Sequence, residues 1–438
     1  MYRTELEDFD DNPQNGDPSP PPLPPVGIEF TGQRWPLFLL ALKNGLLTLL
    51  TLGIYRFWAK TWIRRYFWHN TRIRGDALEY TGLPSELLIG FLIALAILVP
   101  FFGLYELLLF FAEGASDLVA QVANIGYFVL LLAFFQFAFY RMWRYRLSRT
   151  AWRSIHFGLD GSAVKFTFLS MGWTLVTVLT LGLAAPWARV ALWKFRTNNT
   201  RFGNTNFGFE GSGKHLFIKW LLVWGTPIII TAVVGYLNLD TITMLQSANA
   251  EGTPATKEQV KSLSGAGAIG AFIFFTTFPF VYIWYRVREA NYLITSSHLK
   301  DARFSVNIKA ACIFWAYFLF FLSLFGVLVG ISIVSTIVLS LVSNTPNLST
   351  NFKDIEDVQN LLVGTGGAVF ATQAIIGLLT YAIVSALSMV MIRHRITKHI
   401  CSVVNIENSD VFDDVSQSAK IGPQHGEGFA DALDVGAI

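Results

Sequence analysis

The sequence is short of charge. Lys, Arg, Asp and Glu make up 14% of its 438 residues, where a soluble domain carries about 25%. That deficit excludes an ordinary soluble domain, and with 53% hydrophobic residues it also excludes a wholly disordered chain. Cysteine is scarce too. Cys312 lies in an apolar run and Cys401 beside a basic cluster, which gives no disulfide framework and reads as packing. The histidines His69, His156, His215, His298, His394, His399 and His425 form no HxxxH or HExxH pair, so no metal site is implied. No Ser-His-Asp or Cys-His set and no paired carboxylates in mid-run can be assembled. The expectation is therefore no catalytic residues, no cofactor and no enzyme.

Residues 1–27 lack the basic and apolar regions of a signal peptide; they are acidic and then proline-rich, a tail of polyproline character. Residues 405–438 are polar and acidic and read as a second disordered tail.

What is present is a set of long apolar runs, near 36–55, 87–111, 119–140, 166–186, 216–237, 265–285, 310–342 and 364–392. They define a polytopic membrane protein. A repeat organises them. Gly32–Gly82 recurs without a gap as Gly161–Gly211, so that Gly53 falls on Gly182, Trp58 on Trp187, Asn70 on Asn199 and Arg72 on Arg201. The repeat divides the chain into membrane units at 28–156 and 157–297, with a partial third unit at 298–404 between the two tails.

Charge decides how the runs are threaded. Basic clusters follow the runs ending near 55, 140, 186, 285 and 392, while the connections 112–118, 238–264 and 343–363 are poor in Lys and Arg. If every run crossed, the clusters after 140 and after 186 would lie on opposite faces, which conflicts with the positive-inside rule. If 36–55 and 166–186 enter and leave on one face, every basic cluster is cytoplasmic. The sequence therefore predicts an all-α polytopic fold of three transmembrane hairpins plus two re-entrant or short membrane helices, with both termini in the cytoplasm. Gly53, Gly182 and Pro186 supply breaks in the two shorter elements. Gly326 and Gly330 form a GxxxG suited to close helix packing, and Gln136 and Gln373 are candidates for hydrogen bonds between helices.

The cytoplasmic surface mixes aromatic and basic residues. Arg56, Lys60, Arg64 and Arg65, interleaved with Trp58, Trp62 and Tyr66, suit an interfacial helix that reaches lipid phosphates. Arg141, Arg144, Arg286, Arg288, Arg393 and Arg395 end three of the long runs and are candidates for the same lipid or anion binding. The expected partners are anionic lipid headgroups; nucleic acid is disfavoured because the basic segment abuts a membrane run. Short alternating stretches such as Thr200–Gly211, Ser154–Gly161 and Asp301–Ser305 predict small cytoplasmic β-hairpins. Gly208–His215 nearly matches a phosphate-binding loop, but His215 replaces the Ser or Thr and a membrane run follows at once.

Gly45–Lys60, Arg65–Thr71 and Glu79–Gly82 resemble the YjgN-like bacterial inner-membrane proteins, a family of unknown function, over about 28–404. The second copy departs from the motif, with Ala185-Pro186 in place of Arg56-Phe57. The resemblance implies an inner-membrane location and supplies no activity or site residues. Two function classes stay open: a transporter or channel for a small solute, ion or lipid, which the internal repeats favour, and a non-transporting protein that binds lipid headgroups or a cytoplasmic partner through its basic face.

Overall fold

The structure, a computed structural model, describes residues 25–112, 117–250, 257–343, 355–418 and 431. Ten short strands form one closed antiparallel barrel: β1 (Val26–Phe30), β2 (Thr71–Ile73), β3 (Asp76–Tyr80), β4 (Thr150–Trp152), β5 (Ile155–Leu159), β6 (Thr200–Phe202), β7 (Thr205–Phe209), β8 (Ser297–Leu299), β9 (Ala302–Val306) and β10 (Val404–Glu407). Each strand pairs with its neighbours in the chain, and the ring closes where Val26 faces Ile406 and Gly27 faces Asn405. Closure leaves no strand edge unpaired. Strands of three to five residues are far too short to cross a bilayer, which takes about 9–11.

Chain order sets what hangs from this ring. In an up-and-down barrel, connections alternate between the two rims. Here β2–β3, β4–β5, β6–β7 and β8–β9 are joined by two-residue turns that carry positive φ at Arg74 (52°), Arg153 (51°), Gly203 (54°) and Lys300 (49°), as twisted hairpins require. Every other connection is helical, so all helices leave from one rim. The interior is filled by Trp152, Phe202, Leu299, Ala302 and Ile406. A 3-10 turn at Ser409–Asp414 folds back to add Val411 and Phe412, with Val415 just beyond it.

The helical connections are α1 (Arg34–Leu50) with α2 (Arg56–His69); α3 (Pro84–Ala112) with α4 (Asp117–Ser148); α5 (Ala163–Leu179) with α6 (Ala185–Asn198); α7 (Lys214–Leu237), α8 (Leu239–Ala250) and α9 (Lys257–Thr295); and α10 (Ala310–Ser343) with α11 (Ile355–Ser388). α11 runs through a π-helical stretch, Met389–His394, into α12 (Arg395–Val403). Among the described residues six stretches are long and apolar enough to cross a membrane: Pro84–Phe110, Leu118–Ser148, Lys214–Leu237, Ser264–Thr295, Ala310–Val338 and Ala371–Val403. Their outward side chains, among them Phe128, Ile229, Phe275 and Phe321, are large, apolar and exposed, a surface made for lipid. α1 and α5, at 17 residues each, span only about 25 Å.

The turns after α1 and α5 are built alike. Leu52 and Leu181 take left-handed φ of 49° and 51°, followed by Gly53 and Gly182 at 92° and 91°. The Gly53 amide donates to Thr48 O and the Gly182 amide to Thr177 O, both at 2.7 Å. With the Leu52 amide donating to Leu49 O at 3.1 Å and the Leu181 amide to Val178 O at 3.0 Å, each turn has the paired helix-ending bonds of a Schellman motif. Thr51 Oγ1 and Thr180 Oγ1 then accept from the amides of Tyr55 and Ala184. The repeated Thr-Leu-Gly is thus a chain-reversal device.

Four expectations need correction. The hairpins are not separate caps but share one barrel. The second tail does not begin at 405, because β10 closes the ring and Val411, Phe412 and Val415 plug it; the rest of that tail, apart from Asp431, lies outside the described residues from 419 onward. The first tail lies outside them as far as residue 24, and Val26 and Gly27 at its end belong to β1. Gly326 and Gly330 face open space, so no described helix packs on that GxxxG. The close approach falls instead at Gly270, where an added Cβ would sit 2.9 Å from Val234 of α7. Gln373 does donate to Ser335 Oγ between α11 and α10, at 2.7 Å.

Candidate anion site

Along α2, Arg56, Lys60 and Arg64 recur every fourth residue and share one face. Like charges at that spacing repel, so the face needs a compensating anion or water. It borders a cavity of about 530 Å³ that is also lined by Ala41, Asn44, Gly45 and Thr48 of α1, Trp143 and Arg146 of α4, Tyr381 and Ser385 of α11, and Met389 and Arg393 of the π-helical stretch. Gly45 lets α1 lie against α11: an added Cβ would stand 3.3 Å from the Ala382 Cα. The Asn44 side chain is 2% exposed, and its amide nitrogen has no hydrogen-bond partner.

Asp431 meets three cations of this wall, Lys60, Arg64 and Arg146. Asp431 is fully buried. Arg64 forks onto it, Nη1 to Oδ2 at 2.5 Å and Nη2 to Oδ1 at 2.6 Å, and Arg146 Nε reaches Oδ1 at 2.7 Å. Lys60 Nζ donates to the Asp431 main-chain carbonyl. Arg64 also donates to Tyr80 Oη at 2.9 Å. Burial alone would raise the Asp431 carboxyl; the charges of Arg64, Lys60 and Arg146 outweigh it and hold the group well below the usual carboxylate range. Burial pulls against Arg64 as well, and the Asp431 charge more than restores it, leaving the guanidinium above its ordinary value. Two-point Arg recognition of an oxyanion is among the stronger charge-assisted contacts.

Four of the ten sequence candidates therefore meet in one place: Arg56, Lys60, Arg64 and Arg393. The others do not. Arg65 donates to Gly82 O at 3.2 Å. Arg144 ties α4 to the barrel through Leu159 O, at 3.0 Å, and Gly161 O. Arg141 lies over Phe137 and Arg288 over Trp284, while Arg286 pairs with Glu289. Arg395, half-buried at the start of α12, is not part of the cavity wall. Sequence reasoning held Arg146 only as a member of the basic cluster after the run ending near 140 and did not single it out, and it missed Asp431, which had no signal.

The repeat-core residues serve the framework. Asn70 and Asn199 cap α2 and α6 by donating to Tyr66 O and Phe195 O at 2.8 and 2.7 Å. Trp58 stacks on Tyr55 and Trp187 packs on Phe217. Arg201 is buried against Asp160 at 3.0 Å, whereas Arg72 is exposed. In the second copy Arg189 takes the place of Lys60, and its counter-charge is the buried Glu289 of α9 at 3.4 Å. Among the described residues no cluster of three or more His, Cys, Asp or Glu could hold a metal.

A barrel too small to span, six membrane-length helices hung from one rim, and an arginine-lined cavity at the junction define a polytopic membrane protein with an extramembrane β-barrel. The family model described as bacterial protein of unknown function (DUF898) matches residues 25–432, and the chain belongs to that family. It is similar to the inner membrane protein YjgN of Salmonella typhimurium, 30% identical over 135 residues, which is 31% of this chain and 31% of that protein. The match thus spans about a third of its relative's length. No solved structure matches the chain. The class is an integral inner-membrane protein of unknown function.

Proposed function

We propose that the protein binds an anionic group, phosphate or carboxylate in type, in the cavity between α1, α2, α4 and α11. The observation that carries this reading is the Asp431 carboxylate gripped by Arg64 and Arg146. The orphaned Asn44 amide supports it, because a buried donor without a partner is costly until a ligand satisfies it. The apolar side of the cavity, from Ala41 and Gly45 to Met389, also suits the body of an amphiphile, so the anion can come from a lipid headgroup or from solution. In this reading the barrel faces the cytoplasm, α1–α2 and α5–α6 dip into the bilayer and return, and the cavity lies at the inner membrane surface.

The full chain in phosphatidylcholine nanodiscs tests the reading in two arms. One measures equilibrium binding of inorganic phosphate and the other retention of phosphatidic acid by native mass spectrometry. Saturable binding in either arm, reduced at least tenfold by Arg64→Gln or Arg146→Gln, is the expected result, and the arm that responds names the source. Failure of both arms removes the reading.

A second reading, movement of that anion across the membrane, is favoured by the α1–α2 pair. Interrupted membrane elements line substrate sites in many transporters, and these two helices form much of the wall. Phosphate uptake into proteoliposomes, abolished by Arg64→Gln, is the result it requires.

A further inference from the structure

Resting on the anion-binding reading and naming its ligand, we infer that the cavity holds a glycerophospholipid, with the phosphate on Arg393 and an ester carbonyl on the Asn44 side-chain amide.

Three observations lead there. The first is which cation is open. Lys60, Arg64 and Arg146 are each set against Asp431. The Arg393 guanidinium lies over the Phe67 ring at 4.9 Å, and among the described residues it meets no carboxylate and no hydrogen-bond acceptor. A guanidinium carries five N–H donors, and a ring face does not satisfy them. They are left to fork onto two oxygens of one phosphate.

The second is how the chain puts Arg393 there. Tyr381, Ser385, Met389 and Arg393 line the cavity at four-residue steps. In an α-helix each such step drifts about 40° around the axis, so a run of them leaves a fixed wall. The π-helical stretch Met389–His394 takes more residues per turn and swings the last step back, which keeps Arg393 on the cavity side. His394 anchors the stretch, its Nε2 donating to Gly32 O at 2.9 Å. Such turns inside α-helices are rare and concentrate at functional sites.

The third is the spacing of two unmatched donors. Phe67 packs with Val390, so the guanidinium over that ring lies near the level of Val390. Gly45 abuts Ala382, which sets Asn44 near the level of Ala382. Eight residues of helix separate the two levels, or about 12 Å. The Asn44 amide nitrogen is buried in the same wall and has no hydrogen-bond partner. One inorganic phosphate cannot reach both donors. Hydrogen bonds of about 3 Å at each end leave roughly 6 Å between the two acceptors. A phospholipid carries an ester carbonyl about that far from its phosphate, across the glycerol. Tyr381 lines the cavity from within the spanning stretch Ala371–Val403, which places that end at the depth of the acyl chains.

The experiment uses the full chain in dodecyl maltoside micelles, which contain neither phosphate nor ester. The probes are ester-linked phosphatidic acid, its ether-linked counterpart and inorganic phosphate, and native mass spectrometry and equilibrium binding read them. Wild type is expected to bind the ester lipid about 2–13-fold more tightly than the ether lipid, the range of one hydrogen bond. Asn44→Ala should erase that preference. Arg393→Gln should weaken both lipids about tenfold or more and keep the preference. Asn44→Leu, close to Asn in volume, gives the readout if Asn44→Ala does not fold; Arg393→Lys, which keeps the charge and loses the fork, should bind both lipids more weakly than wild type and does the same for Arg393→Gln. No ester preference in wild type, a preference that survives the Asn44 variants, or Arg393 variants that bind like wild type would each overturn the phospholipid assignment. Saturable phosphate binding that Arg64→Gln abolishes, without any ester preference, would overturn it and leave the anion-binding reading standing. No binding of any probe to wild type would remove both.

Discussion

Arg64 and Asp431, 367 residues apart in the chain, form a two-point ion pair with neither partner more than 4% exposed. Removing one member of a buried pair costs about 3–5 kcal/mol, because the other charge is stranded. A double-mutant cycle of Arg64→Ala and Asp431→Ala, read by chemical denaturation in detergent micelles, should give a coupling energy of about 1–3 kcal/mol. Additive effects would mean that the two side chains do not meet in the folded protein.

All tight turns of the barrel lie on the rim opposite the helices. In a background with Cys312 and Cys401 replaced by Ala, Ser154→Cys and Lys300→Cys should react with a membrane-impermeant maleimide only when the cytoplasmic face is open. Leu118→Cys and Leu237→Cys, at the far ends of α4 and α7 and both exposed, should react only from the opposite face. Leu52→Cys, 95% exposed at the α1–α2 turn, should react with neither, being sheltered by lipid. A barrel cysteine labelled from outside would reverse the threading.

The likeness of the two shorter elements was legible, and two independent signals set the threading that the labelling tests. The repeat required 36–55 and 166–186 to behave alike, and the arginine clusters allowed only one face for both ends of each. The barrel was half legible. Strands of three to five residues are too short for period-2 alternation to show more than local hairpins. Closure depends on β1 and β10, which were hidden in segments whose composition reads as tail. The cationic side of the site was legible as the 56/60/64 spacing on α2. Its anion was not, since the pairing of Asp431 with Arg64 is purely tertiary and leaves no local pattern.

Asp413 fastens the barrel plug to two turns, accepting from Arg74 and from Arg153, each at 2.9 Å. The hydrogen bond from Arg74 and the second from Arg153 hold its carboxyl below the ordinary value. A carboxyl depressed in the folded state contributes stability above the unfolded pKa, about 3.9, and loses it as pH falls through the folded value. The pair is half exposed, so solvent screening limits the effect to about 0.2–1 kcal/mol. Asp413→Asn should lower the unfolding free energy by that amount near pH 7, and the difference should shrink below about pH 4 as the wild-type carboxyl is protonated. A difference that persists undiminished in acid would assign the effect to packing.

The two Thr-Leu-Gly turns share a backbone and differ in support. Trp220 Nε1 donates to Gly182 O at 2.9 Å and Trp224 Nε1 to Leu181 O at 2.7 Å, pinning the α5–α6 turn to α7. Around Gly53 an added Cβ would meet nothing within 4 Å, and Leu52 stands exposed. The α1–α2 turn, which leads into the cavity wall, is therefore the looser of the two. Hydrogen exchange should be faster at 52–54 than at 181–183. Trp224→Phe removes one bond and keeps an aromatic ring; with about 0.5–1.5 kcal/mol per hydrogen bond, it should speed exchange at 181–183 by about 2–13-fold. Exchange at 52–54 should not change. Equal rates in the wild type would show that the tryptophan contacts do not restrain the second turn, and the difference in mobility between the repeats would have to be given up.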